Sequence, residues 1–155
     1  MTETAGARKP KHRPRRVGHV FAALSRGIRR EMTEALKPIG VDVREWTTLD
    51  FLDDRPRSSN AELSRRLGVT PQAVHTVVLQ LERREFIERH PDPDHGRIAR
   101  FTLTKAGTDV LRACDRAADR VEERVFRSLS AADRRALLTS AVTALRSLEQ
   151  PTADS

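Results

Sequence analysis

Residues 60–84 constrain the chain most, because two short helical periods there are separated only by Gly68, Val69 and Thr70. Ala61, Leu63 and Leu67 mark the inward positions of a first helix over about residues 60–67. Gly68 then supplies a residue that ends a helix in left-handed backbone without a Cβ clash. Thr70 is placed to cap a new helix, and Pro71 falls at its first turn, where a missing N–H costs nothing. Val74, Val77, Val78 and Leu81 recur in steps of three and four and give this second helix one apolar face, running to about Arg84. The corner predicted is a helix-turn-helix, whose second helix can lie in the major groove of duplex DNA. A helix-glycine-helix corner also occurs in small helical domains with no such role, so its flanks carry the discrimination.

On the C-terminal flank, Phe86 and Ile87 open an alternating segment and Ile98, Phe101 and Leu103 lie in a second one. Between them, residues 90–96 are rich in Pro, Asp, His and Gly. This predicts a two-stranded hairpin with a long polar tip, which makes the corner a winged one. Upstream, Val20, Phe21, Leu24, Ile28, Met32 and Leu36 trace one stripe of a helix ended by Pro38 and Gly40. A shorter helix over residues 42–54 follows, with Asp42 as N-cap and Val43, Trp46, Leu49, Phe51 and Leu52 apolar. Pro56, Ser58 and Ser59 read as a break.

Beyond Thr104 a long helical period runs through Val110, Leu111, Cys114, Ala117, Ala118, Val121, Val125 and Leu129. Ser130 and Asp133 resemble a capping box that opens a last helix, with Leu137, Leu138, Val142, Leu145 and Leu148 inward and Pro151 beyond its end. The fold class expected is mainly α, a winged helix-turn-helix region over residues 42–106 between terminal helices over 17–40 and 107–150. Those helices carry apolar stripes with little chain to cover them, and a second copy of the chain is the simplest cover. Residues 1–16, with six basic groups and almost nothing apolar, are expected to be a disordered basic arm.

Charge agrees with a polyanion partner. The net charge of +7 on 155 residues is uneven: residues 1–16 hold six basic groups against one acid, and residues 55–105 ten against six. The single cysteine, Cys114, forms no intrachain disulfide, and a cytoplasmic chain is expected. No apolar run reaches the roughly twenty residues of a membrane span. No Ser-His-Asp or Cys-His arrangement, phosphate-cradling glycine loop or acid/base carboxylate pair stands out, so neither an enzyme nor a cofactor is expected. His90, Asp92, Asp94 and His95 are ligand types, but polar wing tips commonly collect them and no metal is expected. Cys114 shares its register with Val110, Ala117 and Val121, which favours a buried, inert thiol over a redox sensor.

"VDVREWTTLDFL", "AELSRRLGVTPQAVHTVVLQLERREFI", "DPDHGRIARFTLTKAG" and "LSAADRRALLTSAVTAL" occur in that order. Together they resemble the multiple antibiotic resistance regulator (MarR) family of bacterial transcription factors, over about residues 17–149. The resemblance implies a homodimer built on interlocked terminal helices. It also implies two winged helices in successive major grooves of a near-palindromic double-stranded site, most often as a repressor and in some members released by a small-molecule effector. A nonspecific nucleic-acid or chromatin-associated winged-helix protein is the alternative reading.

On the second helix of the corner, the face left free by the core offers Gln72, Ala73, His75 and Thr76 to base edges. Ser58, Ser59, Asn60, Arg65, Arg66, Thr70, Arg83 and Arg84 are candidates for the sugar-phosphate backbone. The family's wing arginine, which enters the minor groove, aligns with Arg97. The acid that braces it two residues earlier is replaced by His95, with Asp94 one position further back. Glu85 stands where the family often has glycine. Trp46, the only Trp, is expected to pack in the core and also to line an effector pocket.

Overall fold

The computed structural model describes residues 16–149. The basic arm therefore lies, apart from Arg16, outside the described residues, as does Pro151. In chain order the elements are α1 (Val17–Leu36), a 3-10 turn (Lys37–Ile39), α2 (Val43–Asp54), β1 (Ser58–Ser59), α3 (Asn60–Leu67), α4 (Pro71–Arg83), β2 (Ile87–Pro91), β3 (Ala99–Leu103), α5 (Lys105–Val125) and α6 (Ala131–Glu149).

The helix boundaries follow from local capping chemistry. Asp42 accepts from the backbone N–H groups of Arg44 and Glu45, and the Glu45 carboxylate returns to the Asp42 N–H at 2.9 Å, completing a capping box. Thr70 accepts from Ala73 N–H above Pro71, and Gly68 adopts φ 63° to end α3. Thr104 caps α5 through Gly107 N–H, while at the start of α6 the Ser130 hydroxyl accepts the Asp133 N–H and donates to the Asp133 carboxylate, one half of the capping box expected there.

The hairpin is part of a three-stranded antiparallel sheet of order β1-β3-β2. Ser58 pairs with Phe101 and Ser59 with Arg100. A two-residue strand is too short to show a period of two, so the segment expected as a break is an ordered sheet edge instead. The α5 period continues to Leu129, but the helix stops at Val125 and the chain turns.

Two apolar clusters hold these elements. Leu49, Leu52, Leu63, Val74, Val78, Leu81, Ile87, Phe101 and Leu111 fill the winged region. Met32, Leu36, Val41, Cys114, Ala117 and Val121 join α1 to α5. Trp46, Phe86 and Val110 pack against both, so the winged region is continuous with the α1-α5 pair.

Two helices depart from the inward stripe expected of them. Only Met32 and Leu36 of α1 are buried, and Val17, Val20 and Phe21 stand exposed. On α6, Leu138 is 65% exposed, Leu145 60% and Leu148 82%. These leucines are not inward within one chain, because α6 has no element of its own chain to lie on beyond its first turns. Phe21, Leu24, Leu137, Leu138 and Ala141 instead line an apolar gap of about 400 Å³ between α1 and α6.

Candidate nucleic-acid interface

Along α4 the core takes one face and leaves the other open. Val74, Val77, Val78 and Leu81 are buried, while Gln72, His75 and Thr76 are exposed on the first turns. The Thr76 hydroxyl donates to the Gln72 carbonyl at 3.1 Å, which leaves its lone pairs and methyl outward. Ala73 differs from its expected placement. It is half-buried and lines a crevice with Arg29, Arg44 and Arg66, because one helical step turns it from the open face toward α2.

Of the cations and hydroxyls expected beside a sugar-phosphate backbone, Arg65, Arg66 and Thr70 are exposed around the corner and Arg83 is exposed at the far end of α4. Ser58 and Ser59 are not: both are buried. The Ser58 hydroxyl donates to the Arg55 carbonyl at 2.8 Å. Ser59 is committed twice to Glu62, whose carboxylate receives its N–H and its hydroxyl at 2.7 Å each. Asn60 is half-buried, and its side-chain oxygen is buried without a hydrogen-bond partner. Arg84 is exposed at the end of α4, but its side chain is paired. Its guanidinium lies 3.1 Å from the buried Glu45 carboxylate and 4.5 Å from the centre of the Phe86 ring. The side chain thus ties the end of α4 to the start of α2.

The wing projects Arg97 from an exposed tip formed by residues 93–98. Its organising acid is neither His95 nor Asp94 but Asp92. One Asp92 oxygen accepts the N–H groups of Asp94 and His95 at 2.9 Å each, and the other receives Arg100 Nε at 2.5 Å. Arg100 continues to Glu62 and to the Arg57 carbonyl, both at 3.0 Å. One guanidinium thereby joins the wing base to the capping box of α3. The Ser-x-x-Glu pattern at residues 59–62 was a visible capping signal, but nothing local marks Arg100 as the bridge.

A separate cavity of about 360 Å³ lies between α1, α2 and α5, with Ile28, Met32, Trp46 and Phe126 among its walls. Trp46 packs against the core as expected and also lines this cavity. Cys114 is fully buried, and burial, reinforced by the nearby Asp115 and Glu45 charges, pushes its thiol up to about 11. Such a thiol is almost entirely protonated at neutral pH and a poor nucleophile. His90 is engaged with Thr102 at 2.8 Å, and no metal-binding cluster occurs among the described residues.

Residues 39–98 match the sequence pattern of the MarR family. The HTH-type transcriptional repressor Rv2887 of Mycobacterium tuberculosis (strain ATCC 25618 / H37Rv) is 31% identical over 119 residues, covering 77% of this chain and 86% of that protein. The chain belongs to the MarR family. The structure of Rv2887 in complex with DNA superposes with a TM-score of 0.73 at 27% identity, covering 83% of this chain and 97% of that one. Rv2887 has also been solved with salicylic acid, with a TM-score of 0.71 at 29% identity over 83% and 96% of the two chains. Apo MarR from E. coli, 19% identical, shares the fold with a TM-score of 0.75 over 86% and 98% of the two chains. MarR-family regulators are DNA-binding transcription factors.

Within this MarR chain, two features mark local strain and local charge. Glu85, where the family often has glycine, holds φ 57° in the left-handed region, and its N–H donates to the Glu82 carbonyl at 2.9 Å. A turn that glycine adopts freely is here imposed on a residue with a Cβ.

The charged feature is Asp92. The Arg100 hydrogen bond, followed by the two backbone N–H groups, holds its carboxyl at about 2. Unfolded, the group returns to about 3.9. A depressed folded value adds stability that is complete above the unfolded value and lost as pH falls through the folded one. We therefore expect the urea midpoint to fall between about pH 4 and pH 2. The Asp92→Asn chain should show a shallower fall over that window, with Glu62, also held below its ordinary value, supplying part of what remains. Parallel slopes for the two chains would remove Asp92 from this role.

Proposed function

We propose that this chain is a MarR-type transcriptional repressor that binds a near-palindromic double-stranded DNA site as a homodimer and is released by a small-molecule effector. Residues 42–106 form the DNA-binding region, and residues 17–40 and 107–150 form the dimerisation helices. The observation that carries the reading is the division of α4. Its buried face fixes the helix to the core, and its first turns leave Gln72, His75 and Thr76 exposed in a region that also exposes Arg65, Arg66 and Arg97. Gln72 pairs with adenine, Thr76 meets a base edge or a thymine methyl, and His75 makes one further edge contact. Arg65, Arg66, Thr70 and Arg83 meet phosphates, and Arg97 enters the minor groove.

The DNA complex of the Rv2887 relative supports this reading, and its salicylic acid complex supports an effector. The exposed leucines of α6 support a second copy of the chain as their cover. No helix of the described residues is long and apolar enough to cross a membrane. Action on DNA places the protein in the bacterial cytoplasm, at the nucleoid. The basic arm adds phosphate contacts.

Selection of bound fragments from random duplexes tests the proposal. A two-fold symmetric consensus is the expected result, held with a specificity ratio of about 10³ or more over random duplex. On that site Gln72→Ala should change base preference, each lost pair being worth about 1–3 kcal/mol. Arg65→Ala should weaken all sequences alike, and Arg97→Ala should weaken binding at least several-fold while the protein remains a dimer by its mass in solution. Equal losses on consensus and random DNA for Gln72→Ala would favour a nonspecific nucleic-acid binder instead.

A further inference from the structure

We infer that the cavity beside Trp46 selects an aromatic or lipophilic monocation and disfavours aromatic carboxylates. The inference rests on the effector reading above and names the ligand class of that site. The cavity, about 360 Å³, falls within the size range of sites for small organic ligands. Its apolar walls include Met32, Phe126 and Trp46, whose indole is the aromatic ring that attracts cations most strongly.

The polar groups on its wall all carry the same sign. Asp115, Asp119 and Glu122 follow one another on α5 at spacings of four and three residues, which brings them to one face of the helix. Among the described residues, no Lys, Arg or His lines this cavity. Asp115 is fixed against the aromatic wall, since its carboxylate accepts the Trp46 indole N–H at 3.3 Å. Its field reaches neighbouring groups: after burial itself, Asp115 is the largest contributor raising both the Asp50 carboxyl and the Cys114 thiol. An entering carboxylate would meet this field with no counter-cation among the described wall residues. A quaternary or protonated amine would place its charge between the Trp46 ring and the Asp115 and Asp119 carboxylates, and its apolar part against Met32 and Phe126.

Because Trp46 is the only Trp, the full-length protein has a single indole N–H resonance, which reports on the cavity directly. Three probes of similar size separate charge from shape: benzyltrimethylammonium, its neutral carbon isostere neopentylbenzene, and benzoate. We expect the cation to shift the indole resonance saturably and to bind at least about tenfold more tightly than either of the others. Asp115→Asn combined with Asp119→Asn should lower cation affinity about tenfold and leave the neutral isostere unchanged. Asp119→Asn alone, which leaves the Trp46 hydrogen bond intact, keeps the test decisive if the double variant fails to fold. Benzoate binding as tightly as the cation would overturn the inference, as would a cation affinity indifferent to loss of the carboxylates or an indole resonance that no probe moves. Operator affinity, measured in the same samples without probe, decides the repressor reading separately.

Discussion

Placing glutamate at both Leu138 and Leu145 is expected to convert the protein from a dimer to a monomer and to cost at least about 100-fold in operator affinity. Both leucines are more than half exposed within one chain, at 65% and 60%, so the substitutions remove little packing inside the protomer. Their effect falls on whatever covers them. The gap between α1 and α6, walled by Phe21, Leu24, Leu137 and Leu138, is apolar and open, and it continues the stripe along α6. Glutamates placed under a partner helix would bury charge without a counter-ion, which costs several kcal/mol. A monomer also loses the second winged helix, whose binding to the other half-site is made nearly intramolecular by the dimer. Sedimentation equilibrium and a DNA titration check both parts. A dimer that survives the double substitution, or a parent chain that is monomeric at every concentration, would remove the proposed interface.

Gly107→Ala is expected to destabilise the fold by about 3 kcal/mol or more, lowering the thermal midpoint by roughly 10 °C. Gly107 lies in the first turn of α5, where a Cβ would sit 1.9 Å from the Phe86 carbonyl oxygen and 2.9 Å from its carbon. That carbonyl cannot retreat cheaply, because it already accepts the Thr104 N–H at 3.0 Å and the Thr104 hydroxyl at 3.2 Å. The clash is between a Cβ, whose position the backbone fixes, and a backbone carbonyl, so no side-chain rotation relieves it. Displacing Phe86 would also disturb the place where both apolar clusters meet, between the winged region and the α1-α5 pair. Gly96→Ala, at the wing tip with no atom within 4 Å of the added carbon, is the control and should leave the midpoint unchanged. A midpoint for Gly107→Ala within about 2 °C of the parent chain would contradict the packing argument.

The recognition corner was legible before any fold was known, because its determinants act over a few residues. Gly68 ends one helix, Thr70 and Pro71 start the next, and Val74, Val77, Val78 and Leu81 set the buried face, which leaves Gln72, His75 and Thr76 outward. The inert character expected of Cys114 follows from the same kind of register. Resemblance in motif order added the family and the position of Arg97, which periodicity alone does not provide.

Other assignments depended on partners distant in sequence. Whether Arg84 faces solvent or Glu45, 39 residues away, has no signature in a local period. The same is true of Arg100, which spans from Asp92 to Glu62, and of Ser58 and Ser59, which gain their sheet pairing only when Phe101 and Arg100 arrive beside them. Gly107 reads as an ordinary early-helix residue until the Phe86 carbonyl is packed against it. Capping, helical period and glycine conformation are set by interactions within a few residues, and these the amino-acid order determined. Which arginine is paired, which serine is buried and which glycine admits no side chain are set by contacts between segments far apart in the chain, and those only the tertiary structure decided.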